Sequence, residues 1–134
     1  MSADIPSSRP LISIITVTRN AARDLPGCLD SVAAQTDVPY EHWVVDGGST
    51  DGTLELLASR NDPRIRWISE PDRGIYDAMN KAVRLARGQW IYFLGSDDRM
   101  RADALRSMAS FFLKPVDHLL RRRLDDEAQH PLCG

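Results

Sequence analysis

The chain has 134 residues, which is enough for one domain of ordinary size. Its 43% hydrophobic and 27% charged residues are typical of a soluble globular protein, and its net charge of −2 gives no electrostatic reason to expect nucleic-acid binding. Two cysteines, Cys28 and Cys133, fit neither a disulfide framework nor a metal-ligand cluster. The polar N-terminus and the lack of a long apolar run predict no secretory signal and no integral membrane segment. We therefore expect a cytoplasmic protein, at most peripheral to a membrane.

The first half of the chain alternates between strand-like and helix-like patterns. Residues 11–18 are β-branched and apolar throughout, which predicts a strand covered on both faces. Residues 20–35 predict a helix, with Asn20 as a candidate N-cap and Pro26 as a sign of a later start. Its apolar side chains at helical spacing are Leu25, Leu29 and Val32. Residues 42–53 predict a short strand that runs into a loop of Gly, Ser, Thr and Asp.

The next segments continue the alternation. Residues 54–60 predict a helix that is capped by Asp51 or Thr53. Residues 64–70 alternate between polar and apolar side chains, as a half-exposed strand does. Residues 71–88 open with turn residues and continue as a helix. The apolar face expected for this helix consists of Ile75, Met79, Val83 and Ala86.

The last predicted elements complete four strand–helix pairs. Gly88 is expected to end the preceding helix, residues 90–94 predict a buried strand, and residues 102–113 predict an amphipathic helix. Such alternation with short links predicts an α/β fold with a doubly wound, mainly parallel sheet. We expect this domain to span residues 1–113, and we expect 114–134 to be a divergent and weakly ordered tail.

Polar residues gather where the predicted strands end. In open α/β sheets, ligands bind outside the carboxyl ends of the strands, so these residues are candidates for one site. Each loop could also be polar simply because Gly, Asp and Ser suit turns. The residues concerned are Thr16, Thr18, Arg19 and Asn20 after the first strand, 46–52 after the second, 70–74 after the third, and 96–98 after the fourth.

The fourth strand ends in two adjacent acids, Asp97 and Asp98, after Gly95 and Ser96. Neighbouring carboxylates repel each other, and one pKa rises unless a cation or hydrogen-bond donors satisfy the pair. The pair therefore either faces water as a polar turn or holds something positive.

Several other α/β functions lack their motifs. The chain contains no G-x-G-x-x-G after its first strand, no G-x-x-x-x-G-K-[ST] phosphate loop and no G-x-S-x-G nucleophile elbow. The three histidines His42, His118 and His130 show no metal-ligand spacing, and we interpret His42 as structural.

Three motifs in order carry a family resemblance: "ISIITVTRNAARDLPGCLDSV", "WVVDGGSTDGT" and "EPDRGIYDAMNKAVRLARGQWIYFLGSDD". Together they resemble the nucleotide-sugar-binding half of a family-2 glycosyltransferase of the GT-A fold, over roughly residues 10–105. The similar enzymes are bacterial and build capsule, exopolysaccharide or lipopolysaccharide sugars. The resemblance implies a Rossmann-like nucleotide-binding half and inverting sugar transfer from a nucleoside-diphosphate sugar, with UDP as the expected nucleotide.

The resemblance also implies a metal centre. Asp98 would bind Mg²⁺ or Mn²⁺, which bridges the donor diphosphate and offsets the charge of the leaving group. Asp97 would face the donor sugar or the ribose. The motif here reads Ser-Asp-Asp, so Ser96 supplies no first carboxylate. A solvated turn is the alternative for this pair.

The remaining site residues follow from the same resemblance. Asp46 would accept a hydrogen bond from the base, and the backbone of Thr16 and Thr18 would border it; a turn or cap role is the alternative for Asp46. Asp51 fits a helix cap and a ligand contact equally well. Three further residues are expected to face the donor: Arg73 towards the diphosphate, where an exposed structural arginine is the alternative, and Asp77 with Asn80 into the cleft.

Related enzymes are longer, and their second half supplies the acceptor site and the catalytic base. No residue of this chain is assigned as that base, and the acceptor, a sugar or a lipid-linked sugar, is not indicated. We therefore expect a truncated product. The alternative function is a non-catalytic nucleotide-binding fragment. An unpaired side is also expected on the strand at 90–94, with aggregation or dimerisation as the result.

Overall fold

The computed structural model describes residues 9–113 of the chain, and the tail expected at 114–134 lies outside them. Four parallel strands form one sheet in the order β3-β2-β1-β4. This sheet confirms the predicted parallel α/β architecture. The strands are β1 (Ile12–Thr18), β2 (Tyr40–Asp46), β3 (Ile65–Ser69) and β4 (Trp90–Phe93).

Helices cover both faces of the sheet. They are α1 (Leu25–Ala33), α2 (Thr53–Ser59), α3 (Ile75–Leu85) and α4 (Ala104–Leu113). One face carries the larger core cluster, in which Ile12, Ile14 and Val44 of the sheet pack with side chains of α1, α2 and α4. The other face carries a smaller cluster of Ile15 and Val45 with α3. The continuous apolar pattern of β1 is explained, because this strand lies in the middle of the sheet under both layers.

The first helix begins at Leu25, five residues after the predicted start at residue 20. Its N-cap is Asp24, and Pro26 lies in the first turn, where a missing N–H costs nothing. Pro26 therefore marks the helix start, as its presence suggested. The candidate N-cap Asn20 was wrong, because this residue adopts a left-handed backbone with φ of 52° before the helix.

The predicted apolar face of α3 was wrong in part: Ala86 packs against the smaller core cluster, but two larger side chains of that face do not. Ile75 is 59% exposed and Val83 is 43% exposed, whereas Ala78 and Ala82 are completely buried against the sheet. Small side chains let the helix approach β1 and β2 closely, so the alanines form the contact face and the larger side chains turn outward. The helix ends at Leu85, before Gly88.

Gly88 does not end the helix; it lets the chain before β4 pass close to the backbone of β1. A Cβ on Gly88 would lie 2.6 Å from the backbone nitrogen of Ser13. Its N–H donates to Ser13 Oγ at 2.8 Å, and Ser13 Oγ donates to buried Glu41 at 2.7 Å. Glu41 also accepts from the N–H of Arg87. This cluster joins β1, β2 and the segment before β4, at the end of the sheet opposite the polar loops.

Strand β4 lies at an edge of the sheet and is not buried as expected. Among residues 9–113 it pairs only with β1. Three of its side chains are exposed, at 41%, 38% and 45%: Ile91, Tyr92 and Phe93. The unpaired side expected for this strand is thus present in the part of the chain that the structure describes.

Candidate functional site

The carboxyl ends of all four strands lie at one edge of the sheet. Strand β1 is the point at which the strand order reverses, because β2 and β3 lie on one side of it and β4 on the other. A ligand crevice forms outside such a switch point in open α/β sheets. The topology therefore brings the four polar strand ends to one place.

Asp46 ends β2 and is completely buried. Its carboxylate accepts four hydrogen bonds, from the N–H of Gly48 and of Ser49 and from the hydroxyls of Ser49 and Ser69. These contacts fold the loop after β2 and join it to the end of β3. Because Asp46 has no exposed surface, the geometry argues against the base contact expected of it.

The two threonines of β1 differ in their access to the crevice. Thr16 is completely buried, with Oγ1 2.8 Å from His42 Nε2, and it offers no surface to a base. Thr18 is 3% exposed, and its carbonyl accepts the N–H of Gly47 at 2.9 Å. Thr18 thus fixes the start of the loop after β2, directly beneath the crevice.

The loops after β1 and β2 interlock through side-chain contacts. Asn20 N–H donates to Ser49 Oγ at 2.7 Å, and Asn20 Oδ1 accepts from Thr50 N–H at 2.8 Å. Asp51 accepts from Ala22 N–H at 3.2 Å and from Thr53 N–H at 3.1 Å. The hydrogen bond from the Thr53 hydroxyl is the main reason why the pKa of Asp51 is lowered. Asp51 therefore orders both loops and the start of α2, and its contact with a ligand stays a prediction.

The acidic pair follows β4 and folds back over Gly95. A Cβ on Gly95 would lie 2.8 Å from Asp98 Oδ2 and 3.1 Å from Asp97 Oδ1, so the two oxygens flank one point. Both acids are exposed at the edge of the crevice. Two convergent carboxylate oxygens suit a hard divalent cation that takes its other ligands from phosphates and water. These residues therefore fit the implied metal. Within residues 9–113, no group of three or more His, Cys, Asp or Glu side chains forms a complete protein metal site.

The segment after the acidic pair is anchored to α1. Met100 N–H donates to Ser31 Oγ at 2.9 Å, and buried Gln35 donates to the carbonyl of Arg101 at 2.6 Å. The Arg99 guanidinium lies over Gly27, where a Cβ would be 2.6 Å from Nε. These contacts hold the segment that follows the acidic pair against α1.

The loop between β3 and α3 is held by Lys81 and Asp77. Lys81 Nζ lies 2.9 Å from a Glu70 carboxylate oxygen and donates to the Pro71 carbonyl at 3.2 Å. Asp77 accepts the N–H of Arg73 at 3.0 Å, and this hydrogen bond is the main reason why its pKa is lowered. The hydrogen bond to Glu70 likewise raises the pKa of Lys81. Asp77 thus orders the loop, a role that the sequence did not suggest.

Arg73 and Asn80 are the open polar side chains of this region. Both are exposed, and within the described range neither side chain makes a hydrogen bond or an ion pair. Their contacts with a donor stay predictions.

Two residues near the site received no specific role from the sequence. Asp72 lies against Gly47 across the loops, and Lys81 is 17% exposed at its side chain and bridges three acceptors instead of pointing into water. A sequence gives no sign of either contact, because each joins residues on different loops or turns. The Asp-x-Gly turn at 72–74 was the only local signal, since Asp72 Oδ1 accepts the N–H of Gly74.

Fold and site together define an α/β protein with a ligand crevice at the carboxyl ends of its strands. The model of "Glycosyl transferase family 2" matches residues 13–127, which is most of the chain. The chain therefore belongs to glycosyl transferase family 2.

Named relatives agree with this family. A PGL/p-HBAD biosynthesis glycosyltransferase from Mycobacterium bovis is 47% identical over 106 residues, which cover 76% of this chain and 41% of the relative. A chondroitin synthase from Pasteurella multocida is 41% identical over 107 residues, covering 78% of this chain and 11% of the relative. The chain thus spans less than half the length of these relatives.

Solved structures share the fold. Staphylococcus aureus TarS 1-349 in complex with UDP-GlcNAc matches with a TM-score of 0.70 and 31% identity, over 75% of this chain and 30% of TarS. The mannosyltransferase PcManGT from Pyrobaculum calidifontis, in complex with GDP-Man and Mn²⁺, matches with a TM-score of 0.70 and 29% identity, over 82% of this chain and 34% of that protein. In the described range of our structure, no helix is long and apolar enough to cross a membrane.

Proposed function

We propose that this chain is the donor-binding part of a glycosyltransferase that transfers a sugar from a nucleoside-diphosphate donor with inversion, in surface polysaccharide synthesis. The observation that carries the proposal is the convergence of Asp97 and Asp98 over Gly95 at the crevice edge. Family membership and the UDP-GlcNAc and GDP-Man complexes of the structural neighbours support a nucleotide-sugar donor. The neighbour that contains Mn²⁺ supports a divalent metal.

Asp98 is the proposed metal ligand, and Asp97 is proposed to face the donor sugar or the ribose. A bound Mg²⁺ or Mn²⁺ would neutralise charge that develops on the nucleoside-diphosphate leaving group. Arg73 is exposed without a partner on its side chain and would add a cation near the diphosphate. Asn80 of α3 is exposed and is proposed to contact the donor directly. Asp77 is proposed to act indirectly, by ordering the loop that carries Arg73. UDP is the proposed nucleotide, and the acceptor is a sugar or a lipid-linked sugar.

A calorimetric titration with UDP, with and without Mn²⁺, tests the proposal. We expect UDP binding that strengthens about tenfold or more with Mn²⁺, because the cation joins two negative partners. Asp98→Asn should remove the metal-dependent part. The matched control is Asp30→Asn, which removes an acid of α1 that is 67% exposed and whose ion pair joins it only to Arg60. No UDP binding in either condition, or equal binding by Asp98→Asn, would contradict the proposal.

A non-catalytic nucleotide-binding fragment is the second candidate function. It is kept as a candidate because no residue of this chain is proposed as the catalytic base. Product formation from a UDP-sugar by the purified chain distinguishes the two. Transfer that Asp98→Asn abolishes would exclude the fragment, whereas metal-dependent UDP binding without transfer would support it.

A further inference from the structure

Asp46 is the acid expected to meet the base, yet its carboxylate is fully enclosed. It is 0% exposed and accepts four hydrogen bonds from its own loop and from Ser69. A ligand could reach it only if this loop opened. The crevice therefore needs another acceptor if a base is to be recognised beside β2.

Asp72 lies where such an acceptor is needed. A Cβ built on Gly47, the residue after Asp46, would be 2.7 Å from Asp72 Oδ2 and 3.3 Å from its Cγ. The Asp72 carboxyl therefore fills the space that a side chain at position 47 would occupy. It reaches the end of β2 from the loop after β3 and stays partly exposed.

The carboxyl of Asp72 is held in place, and one of its oxygens remains open. Oδ1 accepts the N–H of Gly74 at 3.0 Å, and Lys81 fastens the preceding Glu70 and Pro71 to α3. Oδ2, the oxygen beside Gly47, accepts no hydrogen bond from residues 9–113. An ordered carboxylate with a free oxygen loses little conformational entropy when it binds a donor.

We propose that Asp72 Oδ2 accepts the ring N–H of the donor's base, and that this contact selects the nucleotide; the inference rests on the proposed function. A carboxylate only accepts hydrogen bonds. It therefore favours uracil, which carries N3–H, and guanine, which carries N1–H. Cytosine and adenine present a lone pair at the corresponding ring nitrogen, which repels the carboxylate. Their exocyclic amino groups can donate, but they do not remove that repulsion.

The position agrees with the proposed metal site. Neighbouring strands are about 4.8 Å apart, so the axes of β2 and β4 lie about 10 Å apart on either side of β1. An extended nucleotide could therefore place its diphosphate at Asp98 and its base at Asp72. The base and the diphosphate would meet different loops.

The test compares UDP, CDP and UDP methylated at N3, each titrated with Mn²⁺. We expect the wild-type chain to bind UDP about 10- to 100-fold more tightly than either analogue, since a hydrogen bond to a charged group is lost. Asp72→Asn should bind CDP about as well as UDP, because an amide can donate to the cytosine ring nitrogen. Asp72→Ala should bind all three alike.

Gly47→Ala is a second route to the same result. Its methyl group would displace the Asp72 carboxyl while leaving the acid in the chain. The control Asp30→Asn should keep the wild-type preference for UDP. Mn²⁺-dependent UDP binding that persists in each variant shows that the variant is folded.

The outcomes separate the two proposals. If UDP binds with Mn²⁺ but the preference for UDP is absent, or survives Asp72→Asn and Asp72→Ala unchanged, the role of Asp72 is overturned and donor binding stands. If none of the nucleotides binds the wild-type chain with Mn²⁺, both proposals are overturned.

Discussion

His42 lies completely buried beneath the site, where burial lowers its pKa to about 4. Its Nε2 is 2.8 Å from Thr16 Oγ1, and its Nδ1 has no hydrogen-bond partner within the described residues. Thr16 Oγ1 is also 3.8 Å from Cys28 Sγ on α1. The neutral ring thus joins β2, β1 and α1, which agrees with the structural interpretation of this histidine.

The buried ring predicts that stability falls in mild acid. In the unfolded chain, His42 becomes protonated as the pH falls below its usual pKa of about 6.5. In the folded chain it stays neutral until the pH approaches its lowered pKa of about 4, so mild acid favours the unfolded state. Between pH 7 and pH 5 the wild-type chain should therefore lose about 2 kcal/mol of unfolding free energy at this residue. Urea unfolding at both pH values measures the loss.

His42→Gln is the matched variant for this measurement. Asp51, Asp62 and Asp77 have lowered pKa values, so their contributions are lost only at more acidic pH. The variant should be less stable at pH 7, but its stability should change much less between pH 7 and pH 5. An equal decrease in both proteins would show that His42 does not set the acid dependence.

At the level of elements, the sheet is tied at the end opposite the site by Glu41. Its side chain is 4% exposed, and one oxygen accepts from Ser13 Oγ and from Arg87 N–H, each at 2.7 Å. The other oxygen is 3.9 Å from Arg66 Nε and 3.7 Å from Arg87 Nε. One acid thus connects β1, β2, β3 and the segment before β4.

Replacing Glu41 should loosen this end of the sheet. Glu41→Leu removes the acceptor for Ser13 and Arg87, so we expect a loss of about 1–3 kcal/mol in unfolding free energy. The control Glu55→Leu changes an exposed acid of α2 and should stay within about 0.5 kcal/mol of wild type. Chemical denaturation of the three proteins measures both effects, and equal stability would contradict the role of Glu41.

The sequence predicted the elements better than their contacts. The periodicity of hydrophobic residues predicted all eight elements in the correct order, because β-branched runs and helical spacing are local signals. It mistook the contact face of α3, where alanines pack because the helix lies close to the sheet. It gave no sign of the structural roles of Asp46 and Gly88. Those roles depend on Ser69 and Ser13, which lie far away in the chain.

At the scale of the molecule, the open edge of β4 predicts self-association. Trp90 and Leu94 direct their N–H groups to β1, so the backbone groups of Ile91 and Phe93 between them face outward. Among residues 9–113 no strand pairs with this side. An unpaired apolar edge is a template for another strand.

Phe93→Lys should reduce this association, because a charge at the edge opposes strand pairing. We expect the wild-type chain to form dimers or larger species with rising concentration in light scattering, and the variant to remain smaller. Tyr76→Lys is the control, since Tyr76 is 79% exposed on α3, away from the edge. A wild-type chain that stays monomeric at high concentration would contradict the prediction.

The reversal of strand order at β1 also sets the order in which the chain can fold during translation. β1 is synthesised first and can pair with β2 as soon as residues 40–46 have left the ribosome, whereas its other partner begins at Trp90. The central strand β1 therefore keeps one unpaired side for much of synthesis, when pairing over such a separation is slow. Asp97 and Asp98 follow that last strand. Nascent chains therefore acquire the acidic pair only after β4 has been synthesised, and the proposed donor nucleotide with its metal would stabilise only chains that already contain this strand.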